Sequence, residues 1–234
     1  MDPHSPLPLR ERLIDVGVDL VLTEGTAALG LREIARRAGV SHGAPRRHFP
    51  THHCLLSAIA RRGFADLGDR FAAATAPASS PREQVRALGC AYVGYALESR
   101  GMFELMFRHD LLDSEGREGT GKEGAAGEGT GEKGVGEKGT PEQAAREQAP
   151  AQQPRLREST VPLFRLLVGL VSRCRPSGDP EIVAAALWAN LHGVAQLWAW
   201  GSLPLVLGDA AAPGASVERL VDAALDAHLG QDRP

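Results

Sequence analysis

The sequence predicts an all-α protein, and three observations carry that reading. Apolar residues recur at the spacing of one helix face rather than in alternation. Arginine and glutamate occupy the opposite faces, which makes the pattern amphipathic. Valine and isoleucine fall at helical spacing, so the signature of a half-buried strand is missing.

Residues 1–8 carry Pro3, Pro6 and Pro8 and no apolar stretch, and are read as a flexible N-terminus, not a signal peptide. Leu9, Leu13, Val16 and Leu20 then form the stripe of a first helix. The strongest local signal lies in Gly30–Phe49, GLREIARRAGVSHGAPRRHF. Gly30 is a tolerable N-cap, and Leu31, Ile34, Ala35 and Ala38 form the apolar face of the helix that follows. Gly39 supplies the left-handed C-cap of a sharp turn, and Val40 plugs the space between two crossing helices. Ser41 reads as the N-cap of the next helix, with Pro45 close enough to its start for a missing N–H to cost little. Phe49 anchors that helix on the core and Pro50 stops it. A helix, a glycine turn and a short second helix make the helix-turn-helix plan.

Leu55, Leu56, Ile59, Ala60 and Phe64 mark a further long helix. Tyr92, Tyr95, Met102, Phe103, Met106 and Phe107 cluster next. Soft and aromatic side chains suit an adaptable effector pocket, and they equally suit plain core. Residues 113–154 break the pattern with a degenerate repeat of Gly, Glu, Lys and Thr that holds all three lysines. Such a stretch buries too little apolar surface to offset its ordering entropy and is read as a disordered loop. Pro180–Trp200 is apolar almost all round, including Trp188 and Trp198, and is expected to be covered by its own domain and by a second chain. Val217, Leu220, Val221, Ala224 and Leu225 give a matching stripe on a last helix.

Charge singles out one region. The chain has a net charge of -3, yet between Leu31 and Arg62 seven arginines face one acid, Glu33. A local basic face on an acidic chain is the footprint of phosphate binding. Cys54, Cys90 and Cys174 are scattered and unpaired in spacing, which fits small buried hydrophobes in a reducing compartment. No uninterrupted apolar run reaches the roughly 18 residues of a membrane span, so a cytoplasmic, nucleoid-associated protein is expected. Gly39–Gly43 spells the G-x-S-x-G of a hydrolase elbow, but a helix precedes it where that elbow needs a strand. Gly119–Gly124 spells G-x-G-x-x-G inside the low-complexity stretch, with no strand or helix around it. Neither catalysis nor a cofactor is therefore expected.

The segment from about Pro8 to Leu67 resembles the DNA-binding domain of the TetR/AcrR family. The AGVS turn and the closing His48–Phe49 pair carry the likeness. Trp188-Ala189-Asn190-Leu191-His192-Gly193, with Gly101–Phe107 upstream, is similar to a TetR subgroup named for its Trp-His-Gly signature. The resemblance implies a helix-turn-helix domain over 9–68 and a ligand-binding and dimerisation domain over 69–230. It implies that Ser41, His42, Gly43 and Ala44 face base edges, and that Arg32, Arg46, Arg47, His48 and His52 contact DNA. Arg46 stands where the family usually has tyrosine, and His52 where it often has lysine. Trp188 and His192 join the aromatic cluster as effector-pocket candidates. The implied protein is a dimeric repressor, released from a palindromic operator by a small molecule. The competing reading is a helical ligand-binding or interaction module with weak or lost DNA binding.

Overall fold

The computed structural model describes residues 7–108, 112, 156–175, 178–207 and 213–231. They form ten α-helices with one short 3-10 turn, and no strand occurs among them. The expected loop over 113–154 lies outside the described residues, as do residues 1–6.

Helix α1 (Leu9–Glu24) begins directly after Pro8 and ends at Gly25, whose φ of 82° only glycine adopts at no cost. A 3-10 turn at Thr26–Ala28 leads into α2 (Leu31–Arg37), α3 (Ala44–His48) and the long α4 (His52–Thr75). Thr51 caps α4 by accepting the Cys54 N–H at 3.2 Å. Leu13, Leu20, Ile34, Leu55 and Ile59 are fully buried where these helices meet. Gly17 lets α1 lie against α4, since a Cβ there would sit 2.3 Å from Ile59 Cδ1.

Helix α5 (Pro81–Glu98) opens with a capping box. Ser80 accepts the Glu83 N–H at 3.2 Å, and the Glu83 carboxylate takes the Ser80 N–H at 3.1 Å. It is the axis of the second half of the molecule, packing against α4, α7 (Arg157–Cys174), α8 (Pro180–Ala199) and α10 (Pro213–Leu229). Short α6 (Arg100–Phe107) turns back from α5 to touch both α1 and α4. Gly101 makes that approach possible, for a Cβ there would meet the Val21 carbonyl oxygen at 2.3 Å.

Helix α8 starts at Asp179, which caps the Glu181 N–H at 3.0 Å. Its length and composition would suit a membrane span; one face, with Ala184, Leu187, Leu191 and Ala195, packs against the rest of the fold. One side stays open: Ile182, Leu197 and Trp200 are exposed, and α9 (Ser202–Leu207) adds exposed Leu205 and Val206. The last helix packs onto its own chain. Its stripe of Val217, Val221, Ala224 and Leu225 is consumed within the chain, buried against α5 and α8. Arg86 fastens it from α5 through Asp222 at 2.6 Å and Glu218 at 3.1 Å, and Arg82 adds Asp226.

Candidate nucleic-acid interface and ligand cavity

The turn between α2 and α3 follows from two backbone facts. Gly39 takes φ 69°, and its N–H donates to the Arg36 carbonyl at 3.2 Å while the Val40 N–H donates to Ala35 at 3.0 Å. That paired closure is the Schellman motif. Ser41, however, does not cap α3. Pro45 has no N–H to donate to the Ser41 carbonyl, so Ala44 takes it at 3.0 Å and closes a turn instead of a helical ring. Helix α3 therefore starts at Ala44 with Gly43 before it, and Ser41, His42 and Gly43 form an exposed turn ahead of it. Phe49 is buried after α3, with the Arg10 guanidinium 5.3 Å from its ring centre. From α1, Arg12 donates to the Ala38 carbonyl at 2.5 Å and ties the end of α2 down.

Folding reduces the basic face that the sequence shows. Arg36 holds Glu33 in a forked pair at 2.6 and 2.9 Å, and Arg37 reaches both Glu33 and Glu24. Those two guanidiniums, Arg36 first, push the Glu33 carboxyl down to about 2. Arg62 meets Glu11 at 2.7 Å and Asp15 at 3.6 Å. The neutralising acids on α1 lie outside the stretch where the sequence showed one acid. Arg32, Arg46 and Arg47 keep their charge for a partner. All three are exposed, and no carboxylate pairs with any of them among the described residues. His48 is half-buried beside them. His52 also has a structural partner: its Nε2 donates to the Leu29 carbonyl at 2.6 Å, tying the start of α4 to the loop before α2. A ring held by that bond serves the fold first.

In the second half, α4, α5, α6, α7 and α8 line a partly open cavity of about 290 Å³. Phe64, Leu67 and Phe71 of α4 form one wall, with Leu88 and Tyr92 of α5 beside them. Phe107, Trp188 and Leu191 form a second wall, and α7 closes the space with Thr160, Leu163, Phe164 and Leu167. Of the expected pocket residues, Tyr92, Phe107 and Trp188 line it. Tyr95 does not: its hydroxyl donates to the Gly63 carbonyl at 3.3 Å, and its ring lies under Arg70. Met102 and Met106 are spent against Gly63, where a Cβ would meet their side chains at 2.7 Å. Phe103 packs behind Tyr92, with ring centres 5.3 Å apart.

His192 stands behind the cavity wall. Its Nδ1 accepts the Tyr92 hydroxyl at 2.8 Å, while the Trp188 Nε1–H donates to the Tyr92 oxygen at 3.0 Å. Phe103 stacks on its ring at 5.3 Å. Its open side faces a separate groove bearing Arg100, Glu104 and Gln196. Burial pulls the His192 pKa below the usual histidine value and pushes the Tyr92 phenol up.

These two halves match two family models. Residues 13–66 match "Bacterial regulatory proteins, tetR family". Residues 140–224 match "Tetracyclin repressor-like, C-terminal domain". The chain belongs to the tetR family. Within that family, the HTH-type transcriptional regulator BetI of Rhizobium meliloti (strain 1021) is 38% identical over 79 residues. That match takes in 34% of this chain and 39% of the relative, so the chain spans about two fifths of it. A protein of unknown function from Rhodococcus sp. RHA1 shares the fold over 99% of this chain and 100% of its own, at 28% identity and a TM-score of 0.66. A TetR-like transcriptional regulator from the same organism superposes over 95% and 97% at 19% identity, with a TM-score of 0.56.

Sequence reasoning passed over the α7 wall of this TetR chain. Thr160, Leu163, Phe164 and Leu167 stand at i, i+3, i+4 and i+7, a readable stripe just after the low-complexity stretch. Nothing in such spacing separates a residue that lines a void from one that fills it. Phe64, Leu67 and Phe71 went unmarked as pocket walls for the same reason.

Proposed function

We propose that this TetR-family chain is a ligand-responsive transcriptional repressor that grips a palindromic operator as a homodimer. The observation that carries the reading is the trio of Arg32, Arg46 and Arg47. They are exposed and uncompensated on the helix-turn-helix of a chain whose other nearby arginines are mostly paired with acids. Unpaired guanidiniums suit phosphate oxygens and guanine edges. The exposed Ser41–His42–Gly43 turn leads α3 toward the major groove, and half-buried Ala44 begins that helix.

Two-fold operators need a two-fold protein with recognition helices about 34–36 Å apart. The open side of α8 supports that pairing. Ile182, Ala186, Ala189, Gly193, Leu197 and Trp200 follow one another at helical spacing, and Ile182 and Trp200 are 66% and 65% exposed. So large an unpartnered apolar stripe marks an association surface. The α4–α8 cavity serves as the effector site, and α4 joins it to the DNA-binding half. The protein acts in the cytoplasm on nucleoid DNA, and no catalytic step is assigned to it.

Fluorescence anisotropy against the DNA upstream of its own gene, over a range of salt, tests this. Six phosphate contacts from two protomers give a log–log salt slope of roughly −5. A slope of that size on native DNA, with much weaker binding to a scrambled duplex, is the expected result. Equal, weak binding to both duplexes would sink the regulator and leave a ligand-binding module.

A further inference from the structure

We infer that the cavity takes an uncharged, two-ring aromatic compound with at most one hydrogen-bonding group. The inference rests on reading the cavity as the effector site. Among the described residues that line it there is no Asp, Glu, Lys, Arg or His. Its polar atoms are already engaged. The Trp188 Nε1–H is given to Tyr92 at 3.0 Å, and the Tyr92 hydroxyl is given to His192 at 2.8 Å. The Thr160 hydroxyl, at the α7 edge, lies 3.3 Å from the Arg157 carbonyl. An ionised ligand would shed its hydration and find nothing to replace it. A ligand with several polar groups would meet the same lack.

Size and shape narrow the class. A dry engineered cavity of about 150 Å³ holds benzene. The 290 Å³ here is about twice that, room for two fused rings. The lining supplies Phe64, Phe71, Tyr92, Phe107, Phe164 and Trp188. Two of its ring pairs, Phe64 with Phe107 and Phe164 with Trp188, already meet edge to face, the geometry an inserted aromatic ring extends. Aromatic rings also attract quaternary ammonium ions, but no carboxylate stands among the described lining residues to offset a buried cation.

The experiment is isothermal titration calorimetry of the full chain with three probes of similar size: naphthalene, 1-naphthoate and benzyltrimethylammonium. Naphthalene is expected to bind at least thirtyfold more tightly than either ion. Thr160→Trp and, separately, Val161→Trp place an indole in the mouth and are expected to weaken naphthalene binding at least tenfold. Circular dichroism identifies any variant that fails to fold, and the other then carries the test. Naphthoate or benzyltrimethylammonium binding as tightly as naphthalene overturns the inference and leaves the effector site standing. So does naphthalene that fails to bind at its solubility limit, or that binds undiminished in both folded variants. Anisotropy on operator DNA with naphthalene added separates the two readings. Binding that leaves the DNA complex intact upholds the ligand class and removes naphthalene as a releasing signal.

Discussion

Arg46 and Arg36 are the same residue type ten positions apart, and their surroundings give them different work. Arg36 is locked to Glu33, whereas Arg46 faces solvent uncompensated. Arg46→Ala is expected to weaken operator binding by about 1–3 kcal/mol, and Arg36→Ala by no more than about 0.5 kcal/mol. Anisotropy titrations of the two variants at one salt concentration decide it; equal losses would mean the ion pair does not withhold Arg36 from DNA. The low pKa of Glu33, about 2, keeps that pair charged throughout the physiological range. His192 makes a pH prediction of opposite kind. Its folded pKa lies below the ordinary histidine value of about 6.5, so at and below that pH the unfolded chain binds more protons. Its contribution to stability is level above about pH 7 and falls as the pH drops through 6.5 toward the folded pKa. His192→Gln, which keeps an acceptor for Tyr92, should flatten that part of the urea-midpoint profile between pH 7.5 and 5.5. An unchanged slope would place the titration elsewhere.

Helices here were legible where one residue settles a local conflict. Gly39 turned the chain as its sequence context requires, and Phe49 and the stripe Leu55–Phe64 went to the core. The Ser41 cap failed because a proline four residues on cannot complete the first helical ring. The basic face was overcounted because Glu11, Asp15 and Glu24 arrive from a neighbouring helix, which no window along the chain reveals. The stripe on the last helix is apolar as read, and its place in the fold comes from α5, since Arg86 and Arg82 draw it there. Glycines at helix crossings give a paired test. Gly101→Ala forces a methyl against the Val21 carbonyl and should cost about 1–3 kcal/mol of stability. Gly94→Ala has open space and should gain about 0.5–1 kcal/mol through helix propensity. Chemical denaturation of both measures the difference; a stable Gly101→Ala would show that α6 does not press on α1.

Assembly is governed by what the single chain leaves open. Ile182, Leu197 and Trp200 line one side of α8, and the neighbouring α9 exposes Leu205 at 81%. If the proposed dimer forms through this face, Ile182→Glu with Leu197→Glu converts it to a monomer in analytical ultracentrifugation, without loss of helical circular dichroism. It should also reduce operator binding steeply, because a monomer grips one half-site. A double variant that sediments as a dimer would relocate the interface. Nothing in the residue pattern of Pro180–Trp200 distinguished its inward face from its outward face, since both are apolar. Packing alone assigns Leu187 and Leu191 inward and Ile182 and Leu197 outward.

Helix α4 runs unbroken for 24 residues, from the tether at His52 past the cavity wall at Phe64 and Phe71. It is a lever about 36 Å long at 1.5 Å per residue. A guest that swings its cavity end by about 5° moves the far end by roughly 3 Å. In the proposed two-fold pair the two levers would swing about the shared axis, so the reading heads would part by up to roughly 6 Å, more than the roughly 3.4 Å of one base-pair step on a rigid duplex. The hydrogen bond from His52 to Leu29 clamps the lever to its head, so such a swing would arrive as displacement instead of dissipating in a loose joint.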